Sequence, residues 1–277
     1  MMRRRWWLVL PVAAAGGVLG LWGARARQDH ALQPLWAELG APGTGERFHP
    51  SMVEGLPPPA QRYLRRAIAP GTPLARSVRL TMHGTLRLSP GGEALPMRAE
   101  QVLAPPAGFV WRARVGRGLL RFRGFDRYGH GQGAMRWWML GLVPVVRAGG
   151  ADVTRSAAGR LGGEAVLVPS MLLPASGAVW EAVDDGTARV RLDVDGEPVT
   201  TTLRIGPDGR LRHASLMRWR DDAGGGAAGY VRFDVEFAGE RTFGGYTVPR
   251  RLRAGWRMGE PDAYPFFDAT LDSAEYR

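Results

Sequence analysis

The 277-residue sequence contains no cysteine, no lysine and no asparagine. The absence of cysteine excludes disulfides, cysteine nucleophiles, thiolate metal sites and a lipid-modified N-terminal cysteine. Lysine and asparagine both have AT-rich codons, so their joint absence indicates a GC-rich coding bias rather than selection for guanidinium chemistry. An exported form of this chain would have to be stabilised by its core alone.

Sequence motifs for common catalytic and cofactor sites are also missing. No serine lies in a nucleophile elbow, and no phosphate loop or dinucleotide fingerprint occurs. The histidines lack the paired spacing of metal ligands; they are His30, His49, His83, His130 and His213. We therefore expect no metal and no cofactor, and the catalytic residues, if any, stay unknown.

The net charge of +11 invites a comparison with nucleic-acid-binding proteins. Five arginines lie within residues 1–27, which contain no acidic residue, and the remaining chain carries a net charge of +6. These remaining basic residues are spread along predicted strands, and no nucleic-acid-binding motif accompanies them. The sequence therefore predicts no nucleic-acid partner.

The N-terminus combines a basic cluster with an uncharged apolar run. Arg3, Arg4 and Arg5 precede 19 uncharged residues, Trp6 to Ala24. A membrane-spanning helix needs about 20 residues, whereas a signal-peptide core has about 7–15. We predict that residues 1–27 form an inner-membrane anchor, with the domain in the periplasm or outside the cell. The alternative is a signal sequence, cleaved to release a secreted protein.

Residues 28–50 are predicted to be a linker with a short helical piece, because Pro42, Gly43 and Gly45 interrupt them. Residues 51–277 are predicted to form one exported, β-rich domain. It begins with a short amphipathic helix from Ala60 to Ile68.

Hydrophobic residues then alternate with polar ones, which is typical of half-buried antiparallel strands. In residues 187–195 every second residue is apolar and most of the others are charged. Comparable segments lie at 77–88, 95–104, 109–115, 119–126, 178–183, 199–205, 211–220, 231–237, 248–257 and 266–276. The apolar segment 134–146 is either a buried strand or helix, or the flexible wall of an apolar cavity.

One stretch, Asp152 to Pro174, interrupts the strands and is predicted to be helical over residues 152–168. A sheet of ten or more strands curls, and its concave face is the best place to bury a helix. The predicted fold is therefore mainly β (α+β). A curved antiparallel sheet or incomplete β-barrel of about 10–11 strands wraps a central helical insertion, after an N-terminal transmembrane helix.

An α-helical projection of residues 152–168 places Val153, Ala157, Leu161 and Val168 on one apolar stripe. Glu164 falls inside this stripe, and Arg160 and Ser156 lie on its border. A buried carboxylate needs a partner, so one hypothesis is a structural ion pair. The other is that these three residues form a polar patch inside a cavity, where they hold a ligand headgroup or perform acid–base chemistry.

Several of the ten tryptophans lie on predicted structured segments and would suit either a core or the wall of an apolar cavity. The candidate ligand-binding residues are therefore Ser156, Arg160, Glu164, Trp111, Trp137, Trp138, Trp219 and Trp256.

Four motifs support a resemblance to a known family: LPPPAQRYLRRAIAPGTPL, QVLAPPAGFVW, DVTRSAAGRLGGEAVLVPSMLLP and GYTVP. Together they look like an uncharacterised family of membrane-anchored, exported bacterial proteins, over about residues 46–277. The order of elements also resembles the outer-membrane lipoprotein carriers. That resemblance implies an incomplete antiparallel barrel that wraps helices around an apolar cavity.

The leading hypothesis is binding of a lipid or another hydrophobic ligand in a cavity between sheet and helices, in the cell envelope. One alternative is an envelope hydrolase that uses Glu164 with Arg160 and Ser156. The other is a structural or partner-binding envelope domain, whose interior would be filled with side chains.

Overall fold

The computed structural model describes residues 9–43, 45–220 and 228–277. Over these residues the helices are α1 Val9–Ala31, α2 Gln33–Leu39, α3 Pro58–Ala67 and α4 Ala151–Glu164. The strands are β1 Val78–Leu86, β2 Leu95–Ala104, β3 Gly108–Arg117, β4 Leu120–Gly129, β5 Gln132–Met139, β6 Val143–Gly149, β7 Val179–Asp184, β8 Thr187–Val194, β9 Glu197–Ile205, β10 Leu211–Arg220, β11 Gly229–Phe243, β12 Tyr246–Trp256 and β13 Tyr264–Tyr276.

All of these strands belong to one antiparallel sheet with the order β6-β5-β4-β3-β2-β1-β13-β12-β11-β10-β9-β8-β7. Each half is a meander, and the pairing of β1 with β13 joins the two halves. Helix α4 connects the edge strands β6 and β7, and it contacts β4, β5 and β6 as well as β8, β9 and β10. Contacts with strands so far apart in the order require a sheet that curves around α4, and the predicted mainly β fold is confirmed.

The alternation read from the sequence places the core on the concave face. In β8 the side chains of Ala188, Val190, Leu192 and Val194 are buried, and Arg189, Arg191 and Asp193 are exposed. Successive side chains of a strand point to opposite faces, so this alternation commits one face to the interior. Helices α3 and α4 supply the other side of that core.

The predicted count of 10–11 strands is wrong, because the structure has thirteen over the described residues. The sequence predicts one element for residues 134–146, but this segment contributes to both β5 and β6. Leu140 and Gly141 have φ values of 53° and 72° between these strands. Positive φ at successive residues is typical of tight hairpin turns.

The central helix is shorter than the predicted 152–168. α4 ends at Glu164, and short 3₁₀ turns continue the chain at Ala165–Leu167, Pro169–Leu172 and Pro174–Ser176. Proline disfavours the α conformation of the preceding residue, and Val168 has an extended φ of −127°. The stripe of Val153, Ala157, Leu161 and Val168 is nevertheless buried.

A second, smaller core lies on the convex face, where α2 packs. Leu32, Leu35 and Leu39 form a buried cluster there with Val102, Val110, Phe125 and Trp138 of the sheet. The predicted linker, residues 28–50, therefore includes the end of α1 and a docked helix.

The predicted anchor, residues 1–27, begins ahead of Val9 and so lies partly outside the described residues. Over the residues that are described, none of the helices has the length and apolar character needed to cross a membrane.

Replacement of Leu161 by alanine tests the role of α4 as the centre of the core. The Leu161 side chain is fully buried, and such truncations cost about 2–5 kcal/mol of unfolding free energy. Leu119→Ala is the matched control, because Leu119 is 82% exposed in the turn between β3 and β4. Urea denaturation should give a loss below about 0.5 kcal/mol for this control. Equal losses for both variants would contradict the assignment.

Candidate functional site

A cavity of about 610 Å³ lies between α4 and the concave face of the sheet. Strands from both halves of the sheet line it, as do α4 and the turn that follows. The lining is mostly apolar and rich in aromatic rings, which include Phe109, Trp111, Phe122, Trp137, Phe233 and Trp256. Concave, mostly apolar spaces with a few polar groups are the usual form of small-molecule sites.

The cavity reaches the solvent-exposed surface. Leu88, Val145 and Val146 line it, yet their side chains are exposed. Leu88 follows β1, and the two valines belong to the edge strand β6. An apolar molecule could therefore reach the interior past an apolar rim.

A polar cluster forms one wall of the cavity, centred on Arg160 of α4. Its Nε donates to Glu164 Oε1 at 2.7 Å, and its Nη1 donates to Asp126 Oδ2 at 3.1 Å. Gln101 Nε2 donates to Glu164 Oε2 at 2.6 Å, and Trp137 Nε1 donates to Asp126 Oδ1 at 3.0 Å. Each of the four carboxylate oxygens therefore accepts a hydrogen bond, as buried carboxylates require.

Burial and charge oppose each other in this cluster. Burial raises the pKa of Asp126 above its usual value, and the opposing attraction of Arg160 and the hydrogen bond from Trp137 reduce this effect without cancelling it. Burial by itself would lower the pKa of Arg160, but Glu164 and Asp126 outweigh it, so this pKa is raised. Aromatic rings also stabilise the guanidinium, whose carbon lies 4.6 Å from the Phe109 ring centre.

A second arginine, Arg218 of β10, lines the same cavity. Its Nε donates to the backbone carbonyl of Ser156 at 3.0 Å. Within the described parts of the chain, no carboxylate lies within 4.0 Å of its guanidinium nitrogens. Burial, together with repulsion by Arg160, lowers the pKa of Arg218 to about 10, so the group stays charged at neutral pH.

Six of the eight candidate residues line the cavity: Ser156, Arg160, Glu164, Trp111, Trp137 and Trp256. The other two lie elsewhere. Trp138 packs on the convex face beside Phe125, because it follows the inward-facing Trp137 in a strand. Trp219 follows Arg218 in β10 and packs edge-on against Tyr230.

Sequence reasoning missed three polar residues of the site: Asp126, Gln101 and Arg218. Each is a polar residue at a position where its strand directs side chains, otherwise mostly apolar, into the interior. Asp126 continues the series of Phe122 and Gly124, and the other two continue comparable buried series in β2 and β10. The signal was a polar residue in an apolar register, the same criterion that had identified Glu164 on its helix. Over the described residues, no group of three His, Asp or Glu side chains is arranged to hold a metal.

Removal of Arg160 should leave two carboxylates without their shared partner. We expect Arg160→Met to lower the free energy of unfolding by about 3 kcal/mol, as for a broken buried ion pair. The triple variant Arg160→Met, Asp126→Asn, Glu164→Gln should recover most of this loss, since it removes the charges as well. Arg253→Met is the control, because Arg253 forms an exposed pair with Glu236 at 3.6 Å and should lose less than about 1 kcal/mol. A triple variant no more stable than Arg160→Met would contradict the assignment.

Asp126 should give the protein a distinctive pH dependence. Its pKa is raised on folding, so the folded state binds this proton more tightly than the unfolded state does. The stability that Asp126 contributes is therefore greatest below its unfolded pKa, and is lost as pH rises through the folded pKa. Urea denaturation at pH values from below the unfolded pKa of Asp126 to above its folded pKa should show that the wild type loses stability relative to Asp126→Asn as pH increases. A difference that grows in favour of the wild type would show the opposite shift.

Comparisons with known proteins identify a family and two solved structures of similar fold. A domain described as an outer membrane lipoprotein-sorting protein, from Vibrio parahaemolyticus, shares 8% identity at a TM-score of 0.36, covering 73% of this chain and 85% of that one. A LolA superfamily protein from Nitrosomonas europaea shares 8% identity at a TM-score of 0.40, covering 79% and 92%. No curated protein matches the sequence.

The sequence also matches a family model over residues 46–269, most of the chain. This match confirms the uncharacterised family expected from the four motifs. The chain therefore belongs to the family of unknown function DUF6544.

Proposed function

We propose that the protein binds a lipid or another hydrophobic ligand in the cavity between the curved sheet and α4, in the cell envelope. The observation that carries this proposal is the cavity of about 610 Å³ with its apolar, aromatic lining. Its volume lies within the range of about 300–1,000 Å³ that small-molecule sites occupy.

The packing of the rest of the molecule supports this proposal. Protein interiors are close-packed, and spaces much larger than a water molecule are few. Here a fully buried core surrounds α3 and α4, yet the rings of Trp111, Phe233 and Trp256 border a space without side chains. Covering those rings with an apolar molecule would remove apolar surface from water, which is favourable.

The proposed envelope location rests on the N-terminal sequence. Arg3, Arg4 and Arg5 precede the uncharged residues 6–24, a pattern typical of segments that direct export. An anchor that is retained would hold the binding domain at the outer surface of the inner membrane. A cleaved segment would release it, and the ligand site would be the same in either case.

The two alternative functions have less support. A hydrolase would need a carboxylate that is free to exchange protons with a substrate, but Glu164 already accepts bonds from Arg160 and Gln101. A purely structural domain would have an interior filled with side chains, and the cavity argues against such a domain.

Filling the cavity should abolish binding of apolar ligands. Ala254 of β12 lines it and is 7% exposed, so Ala254→Trp places an indole in the ligand space. Ala238 of β11 is exposed, which makes Ala238→Trp the matched control. We expect the wild type and Ala238→Trp to bind the apolar fluorophore N-phenyl-1-naphthylamine, and Ala254→Trp to bind it at least about tenfold more weakly, with all three folded by circular dichroism.

Native mass spectrometry of gently purified protein supplies a second measurement. We expect a co-purifying lipid-sized mass in the wild type and Ala238→Trp, and its loss in Ala254→Trp. A wild type that neither carries a lipid nor binds the fluorophore would overturn the proposed function.

A further inference from the structure

Every carboxylate oxygen in the cavity wall already accepts a hydrogen bond from a protein group. The two oxygens of Glu164 accept from Arg160 and Gln101, and the two oxygens of Asp126 accept from Arg160 and Trp137. A ligand group that only donates hydrogen bonds would therefore have to share an oxygen with one of these donors. The wall has little to offer an alcohol hydrogen or an ammonium group.

Donors, by contrast, are in surplus. Arg218 uses its Nε for the carbonyl of Ser156. Among the described residues its two Nη groups form no hydrogen bond, and the residue lines the cavity. Guanidinium donors without a protein acceptor at the wall of an apolar cavity are available to an acceptor from outside the protein.

The position of Arg218 is fixed by its surroundings. Its stem lies over Gly159 of α4, where an added Cβ would come within 3.1 Å of Arg218 Cγ. The guanidinium carbon lies 5.0 Å from the ring centre of Phe233 and 5.4 Å from that of Trp256. A guanidinium held by aromatic rings and one backbone bond loses little further freedom when it binds a ligand.

We propose that the ligand is an amphiphile with one apolar chain and an oxyanionic head, a carboxylate or a phosphate, which Arg218 binds through its Nη groups. The inference rests on the proposed function and deepens it. Arg160, Arg218, Asp126 and Glu164 together carry no net charge, but Arg160 engages both carboxylates directly. Arg218 therefore keeps its donors for the ligand, and its planar fork fits two oxygens of one oxyanion.

Three amphiphiles with the same chain and different heads test this inference: hexadecanoate, hexadecanol and hexadecyltrimethylammonium. Binding is measured by displacement of the apolar fluorophore from the full chain, with each ionic compound below its critical micelle concentration and hexadecanol below its solubility limit. We expect the wild type to bind hexadecanoate about tenfold more tightly than hexadecanol, which corresponds to one charge-assisted hydrogen-bonded contact. The ammonium compound should bind most weakly. Hexadecyl phosphate in a fourth series shows which oxyanion is preferred.

The variant Arg218→Gln should lose the preference for the acid while its affinity for hexadecanol stays the same, which also shows that the cavity is intact. Arg212→Gln is the control: Arg212 is an exposed residue of the same strand, and this variant removes the same charge. It should keep the preference. Arg218→Lys should keep part of it, because the charge remains without the fork.

The outcomes separate the inference from the function on which it rests. Equal binding of acid and alcohol by the wild type, or an unchanged preference in Arg218→Gln, would overturn the inference alone. Failure of all the amphiphiles to displace the fluorophore would overturn the proposed function, and the inference with it.

Discussion

The ion pair between Arg160 and Asp126 connects helix α4 to the sheet. Arg160 lies on α4. It donates one hydrogen bond to Glu164, one turn along the same helix, and another to Asp126 of β4, across the interior. Without this arginine two carboxylates would remain in a mostly apolar space, where charge is expensive. This contact therefore helps to hold α4 on the sheet, together with the buried apolar stripe of the helix.

The curvature of the sheet also brings α4 against the concave face. β1 pairs with β13, so two meanders form one surface with its ends at β6 and β7. Because α4 is the connection between those two edges, it is brought against the concave face by the chain itself. Between this helix and the wide curved sheet lies the cavity of about 610 Å³, which aromatic residues line.

Much of this fold could be predicted from the sequence, because period-two alternation and turn residues act locally. The strand count failed at residues 134–146, where Leu140 and Gly141 turn the chain inside a run that is apolar beyond Arg136. The site was predicted in part. Helical geometry predicts Ser156, Arg160 and Glu164. The tryptophans are selected by composition alone, and this selection includes Trp138, which faces away from Trp137 in the same strand.

The sequence by itself determined that the chain is β-rich, that it lacks cysteine chemistry, and that Glu164 lies on the buried stripe of the central helix. These are properties of neighbouring residues and of fixed periods. The tertiary structure alone decided that Gln101 and Asp126 meet that helix across 63 and 34 residues of chain, and that Arg218 reaches Ser156 across 62. It also decided that the interior is partly empty, because a cavity is the difference between the space a sheet encloses and the side chains that fill it, and no local pattern encodes that difference.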